Sequence, residues 1–307
     1  MTAVSSSGET GVRPLPRPGA GEDRLAIALA LLGVYVIWGS TYLAIRFAVQ
    51  TIPPFLQAGM RFILAGIILY VVLHARGAPH PSREQWVGAA IVGALLLLGG
   101  NALVSLAERS VASHLAALLV ATVPIWAALF ARLWGHTPSR LEAAGLLLGF
   151  VGVGILNVGS SLHGNVFGMV ILLVAASSWA LGSVWSPHLS LPTGMMASAT
   201  EQLCGGAMIL VIGLARGERV VVMPSARSLW ALLYLVVMGS IVAFTCYSFL
   251  LQRVRPALAT SYAYVNPIVA VILGAGLAGE SVTGSTLVAL VVILAAVALV
   301  VLGRTRD

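Results

Sequence analysis

Ten apolar stretches follow one another along this chain, separated only by short breaks rich in proline, glycine and arginine. They cover residues 25–47, 57–74, 86–107, 114–133, 141–158, 166–185, 195–215, 229–251, 257–278 and 285–303. A helix rises 1.5 Å per residue, so about 20 apolar residues cross a bilayer core. Inside that core each backbone polar group must be satisfied within its own segment, and a helix does this. The pattern predicts an all-α polytopic membrane protein of ten transmembrane helices. The connections leave no room for a separate soluble domain.

Composition agrees with this reading. Of the 307 residues 59% are hydrophobic and 9% charged, whereas a soluble domain carries about 25% charged residues. The net charge is +7, and all 17 basic residues are arginine. They fall between apolar runs instead of clustering on one polar face, which argues against a nucleic-acid partner. Cys204 and Cys246 each lie inside an apolar run without a CxxC partner or a histidine at metal spacing. No disulfide framework, metal site or cofactor is indicated. Residues 1–24 are polar and rich in Pro, Gly and Ser, the composition of a disordered tail. The first apolar run is too long for a signal-peptide core and has no small-residue cleavage site after it, so it is expected to stay as an anchor.

Orientation follows from the arginines, because cytoplasmic loops retain positive charge. With the N-terminus inside, 11 arginines fall in inner segments, 4 in outer loops, and Arg46 and Arg61 within helices. Both termini are therefore expected in the cytoplasm.

The chain also repeats itself after about 140 residues. Ala121-Thr-Val-Pro-Ile-Trp-Ala-Ala-Leu matches Tyr264-Val-Asn-Pro-Ile-Val-Ala-Val-Ile, placing Pro124 opposite Pro267. Arg61 falls opposite Glu201, and Trp38-Gly-Ser resembles Trp179-Ala-Leu-Gly-Ser. The halves are 25–158 and 166–303. Each holds five crossings, an odd number, so the second must be inverted relative to the first. Inverted repeats are the architecture of alternating-access transporters.

Trp38-Gly-Ser-Thr-Tyr, the stretch Pro-Ala-Leu-Ala-Thr-Ser-Tyr-Ala-Tyr-Val-Asn-Pro at 256–267, and Gly279-Glu280 carry a family resemblance. With the two five-helix repeats, they resemble the EamA-type branch of the drug/metabolite transporter superfamily over residues 25–303. The resemblance implies an inner-membrane permease. Bacterial members of that branch export amino acids such as threonine, homoserine, cysteine derivatives and aromatic amino acids, while other branches carry drugs, nucleotide sugars or sugar phosphates.

Ionisable groups inside a bundle usually face a cavity or a partner. Arg61 and Glu201 stand at matched positions of the two repeats with opposite charge, counted from opposite faces of the membrane, and could meet near the midplane. Arg61 would then receive a substrate carboxylate and Glu201 an amine, or the two would form an ion pair that rearranges. Alternatively each reaches its own interface and is satisfied there. Tyr35, Trp38, Tyr42 and Arg46 form one stripe of the first helix at i, i+3, i+7 and i+11. Asn101, Ser105 and Glu108 share a face of the third, Trp179 and Ser183 of the sixth, and Ser240 and Tyr247 of the eighth. Tyr262, Tyr264 and Asn266 add polar groups on the ninth. These faces are expected to line a central cavity, with belt positions at the membrane interface as the alternative for the aromatic residues. Pro124 and Pro267 are expected to act as matched hinges or as static kinks. Gly145 and Gly149 make a GxxxG pair suited to packing or at most to a weak homodimer.

The sequence contains no HExxH, GxSxG or Walker A motif, which argues against an enzyme. It shows no ring of like charge for a channel, and a passive receptor would need no inverted repeat. The first-helix stripe lacks the carboxylate that small multidrug relatives use for organic cations. Too few inward arginines are present to clamp a sugar phosphate. One arginine, one carboxylate and several aromatics suit an amino acid or related metabolite, with other exporters of the superfamily as the alternative. If transport is proton-coupled, Glu201 and Glu108 are the candidate carriers.

Overall fold

The computed structural model describes residues 20–107, 116, 119–156, 166–278 and 284–303, and among these there is no strand. Ten helices are described: α1 Ala20–Ala48, α2 Pro54–Ala75, α3 Arg83–Ala107, α4 Val123–Ala131, α5 Arg140–Leu156, α6 Val166–Trp185, α7 Met195–Ala215, α8 Ala226–Leu251, α9 Tyr262–Ala278 and α10 Gly284–Gly303. Six of them, α1, α2, α3, α6, α7 and α8, are long and apolar enough to cross a bilayer. Apolar side chains left exposed at helical spacing, such as Leu25, Leu29 and Leu32 on α1 and Leu147 and Val151 on α5, form the outer surface that lipid would cover.

Local signals set the helix ends. Pro54 starts α2, a position where its missing N–H costs nothing. The Leu56 amide in that first turn donates to Glu218 from the connection before α8 at 3.0 Å, a carboxylate at the positive end of a helix. Ser82 and Gln85 form a reciprocal capping box on α3, and Ser225 caps α8.

Four helices depart from the continuous runs read in the sequence. The fourth was expected over 114–133, but a turn at residues 121–122 precedes α4, so Pro124 lies in its first turn instead of in a helix interior. The ninth was expected over 257–278. It divides into a one-turn helix Pro256–Ala259, a turn at 260–261, and α9. The side chains of Thr260 and Ser261 donate to the carbonyls of Pro256 at 2.8 Å and Leu258 at 2.7 Å, competing with the helical ladder at that point. Pro267 lies within α9. Finally, α3 and α8 each widen into a π-helical segment, Ala94–Ala102 and Leu235–Val242. Their starts are 141 residues apart, the spacing that also separates Trp38 from Trp179.

Helix packing has a reciprocal pattern. α2 runs along α7 and α5 along α10; α1 packs on α8 and α9, and α6 on α3 and α4. Helix α8 also meets α2, and α3 meets α7. Replacing each helix by the one five places away returns the first two pairs to themselves and exchanges the others among one another. Glycines allow the closest approaches. A Cβ at Gly59, Gly66 or Gly206 would stand within 3.0 Å of the facing helix in the α2–α7 pair. Gly145 faces the Ala296 carbonyl of α10, and Gly149 faces the Tyr264 ring of α9. The GxxxG pair therefore packs inside the chain.

Candidate functional site

The main buried cluster contains Trp38, Trp179, Tyr247 and Tyr262. Trp38 meets Trp179 edge to face at 5.5 Å, Tyr262 at 4.8 Å and Tyr247 at 5.0 Å. Buried indole N–H groups need acceptors. Trp38 Nε1 donates to the Gly239 carbonyl at 3.0 Å, and Trp179 Nε1 donates to the Tyr247 hydroxyl at 3.1 Å. Ser183 Oγ lies 2.6 Å from that hydroxyl and donates to the Trp179 carbonyl at 2.7 Å. The π segments supply the seats, since Gly239 lies in that of α8 and Gly100 in that of α3. A Cβ on Gly100 would lie 2.5 Å from the Trp179 ring.

Against this aromatic cluster lies a cavity open on one side. Seven of the predicted residues line it: Trp38 and Tyr42 from α1, Arg61 from α2, Asn101 from α3, Trp179 from α6, and Tyr262 and Asn266 from α9. Arg61 is the one charged residue among the described residues that line it. It is 2% exposed. Its Nε donates to Ser240 Oγ at 2.7 Å, and its guanidinium lies 4.6 Å from the Phe62 ring centroid. Its Nη1 has no partner among the described residues. The Oδ1 of Asn101 likewise has none, while Ser105 donates to the Asn101 carbonyl at 3.1 Å. The amide nitrogen of Asn266 turns toward the carbonyls of Tyr262 at 3.1 Å and Tyr35 at 3.3 Å.

Other predicted residues lie outside the cavity lining, among them Ser240, which accepts from Arg61, and Tyr264, whose hydroxyl donates to the Leu146 carbonyl at 2.9 Å. Ser183 and Tyr247 support Trp179 from behind, and Ser105 supports Asn101. Glu201 is buried on α7 and accepts a bond from Ser248 of α8 at 3.2 Å. No ion pair within 4.0 Å joins it to Arg61 among the described residues. The stripe of α1 also ends early. Arg46 is exposed, and Tyr35, outside the cavity lining, bonds Ser261 at 2.6 Å. Glu108 lies outside the described residues.

One polar group escaped the sequence reading. Gln202 donates to Ser198 Oγ at 2.9 Å and to the Ser240 carbonyl at 3.3 Å, and Thr245 bonds Ser198 at 3.2 Å. This chain of amides and hydroxyls joins α7 to α8 behind Arg61. Its signal was present as Ser198 and Gln202 four residues apart on an apolar helix.

A buried cation under aromatic walls, with no acidic group beside it among the described residues, is equipped to hold a small anionic or zwitterionic molecule. The EamA-like transporter family model matches residues 25–158 and, a second time, residues 166–302. The chain belongs to the EamA-like transporter family. It is 45% identical over 276 residues to the uncharacterized inner membrane transporter YedA of Escherichia coli K12, covering 90% of each chain. It is 26% identical to the uncharacterized transporter YvbV of Bacillus subtilis, covering 91% of this chain and 92% of that one. A probable amino-acid metabolite efflux pump of Salmonella typhimurium is also 26% identical, over 90% of this chain and 94% of that one. One crystal structure superposes with a TM-score of 0.76 at 20% identity, covering 91% of this chain and 98% of that one, and so shares the fold. This EamA-family chain is thus a multi-pass inner-membrane transporter, as its motifs led one to expect.

Proposed function

We propose that this transporter exports amino acids or closely related metabolites by alternating access, with broad selectivity. The carrying observation is that Arg61 and Asn101 line one cavity and each retains a buried polar atom without a partner among the described residues, a cationic donor and a neutral acceptor. A zwitterion offers the complementary pair, and the aromatic walls suit its side chain. The Salmonella relative's name points the same way. Arg61 takes the carboxylate, while the amine falls to Asn101 instead of Glu201.

Alternating access rests on ten spans in two inverted halves. The exchange of helix contacts over five places, the paired π segments and the double family match support that arrangement. The bending points move from the prolines to the turns ahead of them, at 121–122 and 260–261. Both termini lie in the cytoplasm by arginine count, and the chain works as a monomer, its GxxxG glycines being used internally. Uptake of labelled amino acids into proteoliposomes, beside a sugar phosphate and an organic cation, tests the assignment. Transport of only the latter two would overturn it.

A further inference from the structure

We infer that the carboxylate is the obligatory recognition group of this cavity, so that its substrates are small organic monocarboxylates with an apolar body, amino acids being one case. This rests on the reading of the cavity as the transport site and narrows its chemistry.

The two orphaned groups are unequal. Arg61 is a full charge with no counter-charge among the described residues: its described surroundings are the Ser240 hydroxyl, the Phe62 ring and Gly239. Glu201, the acid its sequence position suggested, is turned to Ser248. Nε is already engaged, which leaves the outer edge of the guanidinium to meet a carboxylate, and such charge-assisted bonds are the strong ones. Asn101 offers an ammonium only one neutral carbonyl oxygen. An amine without a carboxylate meets the buried Arg61 guanidinium as a like charge, and burial strengthens the repulsion. Loss of the amine removes one neutral-acceptor bond; loss of the carboxylate removes the counter-charge.

The test is calorimetric titration of the purified full-length protein with three ligands sharing one body: phenylalanine, 3-phenylpropionate and 2-phenylethylamine. We expect the acid to bind within about tenfold of the amino acid and the amine at least about a hundredfold more weakly. Arg61→Gln should abolish binding of the acid and the amino acid. Asn101→Ala should weaken the amino acid while leaving the acid unchanged. If the amine binds as well as the amino acid, or the acid fails where the amino acid binds, this inference falls while amino-acid transport stands. If none of the three binds to protein that still unfolds cooperatively, both fall. The wild-type trio decides the matter even if a variant does not fold.

Discussion

Trp38 and Trp179, one from each half of the chain, meet edge to face with ring centroids 5.5 Å apart and planes 80° apart. Each is seated on a glycine of the other half's neighbouring π segment, Trp38 through a bond to the Gly239 carbonyl and Trp179 by ring contact with Gly100. The two widened helices thus build the cavity floor from both sides. π segments recur at functional sites because they shift one turn of a helix relative to the rest.

Gly100→Ala tests that seat. The new methyl would stand 2.5 Å from Trp179 and must displace it. Overpacking of this kind costs about 1–3 kcal/mol, and tilting Trp179 should also abolish substrate counterflow. Gly154→Ala on α5 is the control, since a Cβ there meets nothing within 4 Å. Thermal unfolding in detergent should fall for the first variant and stay at the wild-type value for the second.

Tyr247→Phe tests what holds Trp179 from behind. Its hydroxyl accepts from Trp179 and bonds Ser183, so its loss leaves a buried indole N–H unpaired at a cost of about 1–3 kcal/mol. Ser183→Ala removes only one member and should cost less. A higher KM in the tyrosine variant than in the serine variant is expected from proteoliposome uptake. Equal values would mean that Trp179 is held by ring packing alone.

Glu201→Gln separates proton coupling from structure. Glu201 is 1% exposed and bonds the Ser248 hydroxyl, and glutamine preserves the shape while removing the proton-carrying group. If Glu201 carries the proton, counterflow should persist while uptake driven by a pH gradient falls about tenfold or more. An undiminished response to the gradient would place the proton elsewhere.

The assignment of Glu201 to the cavity shows where sequence reasoning loses its hold. Trp38 and Trp179, and the starts of the π segments, are 141 residues apart, but Arg61 and Glu201 are 140 apart. At the common spacing Arg61 falls opposite Gln202, and it is Gln202 that reaches Ser240, the partner of Arg61. One residue on a helix turns a side chain by about 100°, enough to move Glu201 off the cavity lining. Trp38, Asn101 and Asn266 were legible because lipid offers their polar atoms no partner. The π segments and the turn at 121–122 were not, because apolar periodicity continues across them.

Gly145→Leu should test whether the GxxxG pair serves within the chain. A Cβ at Gly145 already lies 2.8 Å from the Ala296 carbonyl, so leucine must part α5 from α10. Destabilisation of several kcal/mol is expected by loss of close backbone approach, roughly the range for strongly disruptive changes. Light scattering of the surviving folded fraction should give the wild-type mass. A change of oligomeric state with unchanged thermal stability would assign the glycines to an interface between copies.

Glu142 combines two roles at the start of α5, and substitutions can divide them. Its Oε2 accepts from the Ser139 amide at 2.8 Å while the Ser139 hydroxyl accepts from the Glu142 amide at 3.2 Å, which completes a capping box. The same oxygen lies 3.5 Å from Arg255 Nη1, just before the one-turn helix that leads into α9. Glutamine retains the cap but ends the ion pair; alanine ends both. Alanine is therefore expected to cost about 1 kcal/mol more than glutamine, the usual worth of a cap. The carboxylate side chain is only 4% exposed, so the glutamine loss should respond weakly to salt, in contrast to a surface pair. Thermal unfolding at low and high ionic strength measures both quantities. Equal melting of the two variants would mean that Arg255, and not the cap, fixes the entry to α5.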